Sequence, residues 1–109
     1  MKLHLFLLPA VLSVASLSAF AISDTKLEQF VGYTLIKVST ITGWVDKDGK
    51  QEDAFMGCEF GRKLIIDYNL QVTCKSYGYH YSYHPKALFF SNGSLKMLVD
   101  DDVYDVSSP

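Results

Sequence analysis

From Thr34 onward the residues alternate between two faces: Thr34, Ile36, Val38, Thr40 and Thr42 share one parity, and Leu35, Lys37, Ser39 and Ile41 the other. A repeat of two, rich in β-branched side chains, marks a strand rather than a helix, and it predicts one running to Val45. Asp46-Lys47-Asp48-Gly49-Lys50 follows, and its Asp-Gly step supplies the positive φ that a tight reversal needs. Residues 51–61 carry no clear period, with Gly57 and Gly61 bracketing Cys58-Glu59-Phe60. Arg62 to Asp67 and Leu70 to Cys74 flank Tyr68-Asn69 as a hairpin, and Ala87 to Phe90 and Leu95 to Val99 flank the stronger turn signal Ser91-Asn92-Gly93-Ser94. A last strand is expected at Val103 to Val106. Ahead of all these, Thr25 stands three residues before Glu28 in a capping-box arrangement, which predicts one or two helical turns ending near Gly32. Five to seven short strands joined by tight turns make an all-β chain, small α+β at most. The expected shape is a compact antiparallel barrel or strongly curved sheet, SH3-like or OB-like, with a short N-terminal helical turn. Such a fold does not fix a function.

One stretch, Tyr77-Gly78-Tyr79-His80-Tyr81-Ser82-Tyr83-His84-Pro85, places a tyrosine at every second position. On a helix these rings would scatter over opposite sides, whereas a strand lines them on one face about 6.6 Å apart. The parity conflicts with Val72 and Cys74, where even positions are the apolar ones, so a bulge at Lys75-Ser76 is expected to shift the phase. Read as a core wall, each ring removes about 150 to 250 Å² from water, but every buried phenol needs a hydrogen-bond partner. The expectation is therefore a split, two rings inside and two with hydroxyls at a rim. Whatever stays outside forms a rigid aromatic platform with polar tips, which Trp44 could join from just before the Asp-Gly turn. His80 and His84 fall on the opposite face, as solvent-facing residues. In a strand their Cα atoms lie roughly 13 Å apart, too far for both rings to reach one zinc ion.

The N-terminal residues MKLHLFLLPAVLSVASLSAFA combine Lys2, an apolar run from Leu5 to about Leu17, and a closing Ala19-Phe20-Ala21. This is the layout of a secretory signal peptide over residues 1–21. Pro9, Ser13, Ser16 and Ser18 interrupt the run, which is shorter than the roughly 20 apolar residues of a spanning helix. No cysteine precedes Cys58, so acylation at a cysteine following the leader is excluded. Residues 22–109 then form one small domain, exported to a periplasmic or extracellular space and not membrane-spanning after cleavage. In that oxidising setting Cys58 and Cys74 are expected to form a disulfide closing a loop of about 17 residues, worth on the order of 3 kcal/mol. For a domain this small that is a large share of its stability. Leaving out Lys2, the ten basic residues become nine against twelve acidic ones, a net charge near −3. With one arginine and no basic cluster, a nucleic-acid partner is not expected.

Other chemistry is sparse. Asp46-x-Asp48-Gly49 fails as a calcium loop, because aligning Gly49 puts Trp44 at the first ligand position and Phe55 at the twelfth. Asp100-Asp101-Asp102 with Asp105 reads as a solvated edge that resists aggregation, and Asn92-Gly93-Ser94 as a turn rather than a glycan acceptor. Ser76 or Ser82 with His80 or His84 could in principle supply a nucleophile and base, but no nucleophile-elbow motif or phosphate-binding loop accompanies them. No cofactor and no metal is expected. The leading expectation is a noncatalytic exported binding protein, an inhibitor or accessory subunit, using Trp44, Tyr77, Tyr79, Tyr81, Tyr83, His80 and His84 against another envelope or extracellular protein, a peptide or a glycan. The alternatives are a small secreted hydrolase centred on His80 or His84, and a structural component of an envelope assembly.

Overall fold

A computed structural model describes residues 22–108, so the expected signal peptide lies outside the described residues. One short helix, α1 (Asp24–Glu28), precedes nine strands: β1 (Thr34–Val45), β2 (Gln51–Glu52), β3 (Phe55–Cys58), β4 (Lys63–Ile66), β5 (Leu70–Cys74), β6 (Gly78–Ser82), β7 (Lys86–Ser91), β8 (Leu95–Val99) and β9 (Asp102–Ser107). The helical turn forms where expected, but Ser23 caps it by accepting from the Lys26 amide, so the Thr25–Glu28 box is not the cap.

Six strands close an antiparallel barrel in the order β1-β4-β5-β9-β8-β7, with β7 returning to β1, and β2 adds a short extra strand outside it. Closure rests on the length of β1. Its first half, Thr34 to Thr40, pairs with β7, and its second half, from Ile41, pairs with β4. Register shifts between Leu35 and Lys37 and between Ile41 and Gly43 coil the strand enough to serve both neighbours.

The turns follow the residues that specify them. Gly49 takes φ +90° in the β1–β2 reversal, with its amide bonded to the Asp46 carbonyl, and Gly93 takes φ +103° between β7 and β8. The β4–β5 connection instead forces positive φ on Asp67 and Tyr68. It is held from β1: the Thr40 amide donates to the Asp67 carboxylate, and the Tyr68 amide to the Thr42 hydroxyl.

Inside the barrel Ile41, Leu64, Ile66, Ala87, Phe89, Met97, Val99 and Val106 form a continuous core with Trp44, Phe55 and Tyr104. β3 and β6 form a separate two-stranded ribbon, which the Cys58–Cys74 disulfide ties to β5. The Phe55 side chain inserts from this ribbon, packing edge-on against Tyr104 at 5.7 Å, so the ribbon caps one end of the barrel. The disulfide therefore staples a cap to a stave. Among the described residues no helix is long and apolar enough to cross a membrane.

Candidate binding surface

The tyrosine row does not divide between core and rim. Tyr77 is 76% exposed, Tyr79 74%, Tyr81 55% and Tyr83 65%. Even-numbered positions face inward through β5 and again through β6, and the chain passes Lys75 to Tyr77 without exchanging faces. The expected phase shift is absent because the tyrosines were never on the inner side. What fills that side comes from elsewhere: a Cβ at Gly78 would stand 3.0 Å from Tyr104 Cε1, and the His80 ring lies 6.2 Å from that of Phe55. Two large rings from β3 and β9 occupy the space, leaving room under β6 only for glycine, serine and a half-buried imidazole.

Along its length β6 pairs with β3 alone, so among the described strands its other edge carries no partner. Two hollows flank the first half of the row. One, of about 200 Å³, lies between Tyr77, Tyr79, Lys26 and Asp102, and the other, of about 450 Å³, between Tyr77, Tyr79, Met56 and Glu59. Both therefore place a carboxylate beside exposed phenol rings.

Each histidine is engaged rather than simply solvated. His80 Nε2 lies 2.6 Å from Asp100 Oδ2, and its Nδ1 lies 3.6 Å from Asp102 Oδ2, so the imidazole joins the back of β6 to the β8–β9 turn. Lys26 completes this cluster by donating to the Asp101 carbonyl at 2.7 Å while standing 3.7 Å from the Asp102 carboxylate. His84 takes φ +48° and so leaves the strand, which ends the alternation one residue after Tyr83. Its Nε2–H donates to the Asp53 carbonyl at 2.8 Å, and its ring stacks on Tyr83 at 4.0 Å with 8° between the planes. Of the two serines weighed as nucleophiles, Ser76 uses its hydroxyl to accept from the Asp105 amide.

Trp44 does not join the platform. It is 2% exposed, turned inward beyond the Ile41–Gly43 bulge, with the Arg62 guanidinium 4.2 Å over its ring. The chain's one arginine is thus an internal anchor: its Nε and Nη2 donate to the Asp46 carboxylate at 2.7 and 3.4 Å, Nη2 to Glu59 at 3.0 Å, and Nη1 to the Met56 and Gly57 carbonyls at 3.3 Å. Asp46, weighed as a cation ligand, has this guanidinium as its partner. Among the described residues no group of three or more His, Cys, Asp or Glu side chains is arranged to hold a metal ion.

Tyr68 is a surface aromatic that sequence reasoning passed over as a turn residue. It is 76% exposed, and its ring meets His84 edge-on at 6.1 Å, extending the Tyr83–His84 stack around the barrel. The sequence offered only a bulky aromatic in a turn dipeptide; the structure adds that it stands at φ +68°, uncommon for such a residue. Tyr104, by contrast, is internal. Burial pushes its phenol up to about 12, with the Asp102 and Asp100 carboxylates adding to the effect.

No protein family, curated protein or solved structure matches this chain. The site must be read from its own geometry. It is a row of four exposed tyrosines on and flanking β6, a strand with an open edge, continued past its end by His84 and by Tyr68 of the β4–β5 turn, and bordered by carboxylates.

Proposed function

We propose that this chain is a noncatalytic, exported binding protein that docks a protein partner on the aromatic face of β6, in the manner of an inhibitor or accessory subunit. One observation carries the reading: four consecutive odd-numbered tyrosines, two within β6 and one just beyond each of its ends, are more than half exposed beside the strand's free edge. A monomer that leaves so much contiguous aromatic surface in water is unusual, and such patches mark interaction sites. Tyrosine also suits the task, since its ring gives a large rigid contact at low entropic cost and its hydroxyl stays paired with water or partner. The unpaired edge of β6 beside these rings favours a partner presenting an extended segment that adds a strand to β6 while its side chains pack on Tyr79 and Tyr81.

Capture of partners from envelope and extracellular fractions tests this, using the wild type and the Tyr79→Ser/Tyr81→Ser double variant. Both positions are exposed, so the double variant should keep its stability within about 1 kcal/mol. Capture should weaken strongly in the variant. Undiminished capture by the folded double variant would remove the platform from consideration.

A further inference from the structure

The end of the barrel opposite the β3–β6 cap is open. There the first half of β1 pairs only with β7, and β5 meets β9 only at Thr73 and Cys74, so Leu70 to Val72 and the start of β1 stand apart. The gap is a cleft of about 210 Å³. Ile66, Val72 and Phe89 form its buried floor, and Ile36, Leu70 and Leu95 its rim.

One charged side chain lines this cleft. Lys37 is the register partner of Phe89, which is 4% exposed, and stands two residues before Ser39, which is 3% exposed. Both relations place Lys37 on the inward side of β1. Among the described residues no carboxylate lies within 4.0 Å of its ammonium group, as is also true of Lys47, Lys50, Lys63, Lys75 and Lys86; what sets Lys37 apart is its place on the cleft wall. An amine at the lip of an apolar hollow can rest its stem on the wall and keep its charge in water. The same arrangement complements a molecule with an apolar tail and an anionic head. An apolar cavity of about 150 Å³ already admits benzene in another protein, so a cleft of about 210 Å³ is large enough for a short alkyl tail.

We propose that the open barrel mouth binds a single-tailed amphiphile with an anionic head, a medium-chain carboxylate, its tail against Phe89 and Val72 and its head at Lys37. This site is remote in the topology from β6 and does not depend on the docking role proposed for the tyrosines.

The test titrates the chain, expressed in full from Met1, with hexanoate, octanoate, decanoate and dodecanoate below their micelle concentrations, following amide shifts by NMR. Affinity should rise about fourfold per methylene, the value for burying one such group, until the cleft is full, and then level off. The shifts should centre on Leu70, Leu95 and Phe89. Lys37→Gln should weaken decanoate about two- to fivefold and leave decanol unchanged, and Lys37→Glu should weaken decanoate further. Leu70→Asp, at an exposed rim position, should lower affinity for the whole series while the protein stays folded. The proposal is overturned if no member of the series binds at millimolar concentration, or if decanoate binds Lys37→Glu as tightly as the wild type. It is equally overturned if Lys37→Met self-associates while neither form takes up decanoate, because Lys37 would then act only to guard an open strand edge.

Discussion

Removing the Arg62 side chain should cost this domain a large part of its stability, and the structure says why. The guanidinium is 6% exposed and makes five hydrogen bonds. Its contact with Glu59, which is 64% exposed, is screened and worth little. The rest is different. Arg62→Ala leaves the Asp46 carboxylate, only 22% exposed, without its cation, orphans the Met56 and Gly57 carbonyls, and uncovers Trp44. Breaking a buried pair from one side costs about 3–5 kcal/mol, whereas a domain of this length has a total stability of roughly 4–13 kcal/mol. Thermal unfolding should therefore fall by at least about 12 °C, at about 4–8 °C per kcal/mol. Arg62→Lys keeps the charge but not the fork that reaches Asp46 and two carbonyls together, so it should still lose about 1–2 kcal/mol. Urea titrations followed by the fluorescence of Trp44 would measure both, with Lys63→Ala, at an exposed neighbour, as the control. An Arg62→Ala protein within 1 kcal/mol of the wild type would refute the claim that this residue anchors the cap to the barrel.

Tyr104 offers a test of opposite sign. Its hydroxyl is buried with no hydrogen-bond partner among the described residues, so Tyr104→Phe should stabilise the domain by about 1 kcal/mol. Because its folded pKa is raised from 10.0 to about 12, the unfolded chain ionises first. Stability should be unaffected by this group below pH 10 and fall between pH 10 and about 12, by on the order of 1.4 kcal/mol per pH unit, and Tyr104→Phe should remove that contribution. Gly57 sits at φ +81°, where a Cβ would overlap the Gly78 carbonyl oxygen and stand 2.8 Å from the His80 amide. Gly57→Ala should thus separate β3 from β6 and abolish protection of the Gly78–Ser82 amides in hydrogen exchange. Cys58→Ser/Cys74→Ser should lower unfolding free energy by about 3 kcal/mol, measured against the oxidised wild type in urea.

Much of the architecture was legible because it is local. The alternation in β1, the Asp-Gly turn, the Asn-Gly turn and the last strand all formed where their residues indicated, since each depends on backbone preferences a few residues wide. Cys58 and Cys74 paired as expected for two cysteines in a small domain. The errors concern which face is inside. Trp44 and Tyr79 carry aromatic rings of similar appeal to a core, yet one is 2% exposed and the other 74%. A period of two states which residues share a side, not which side meets the rest of the molecule. The even positions under β6 are small or polar, and that itself was a clue that rings from elsewhere would fill the space.

From its residues alone, then, the chain determined most of its strands, though not β2 and β3, together with its main reversals, its staple and the grouping of four tyrosines on one side, because these follow from steric preferences and a repeat of two. Tertiary structure alone decided that those tyrosines face water, that Arg62 and Trp44 lock together, and that Lys37 faces the mouth of the barrel. Each of these depends on segments distant in sequence, Phe55 and Tyr104 beneath β6, Asp46 beside Arg62, Phe89 opposite Lys37, meeting only once the barrel has closed.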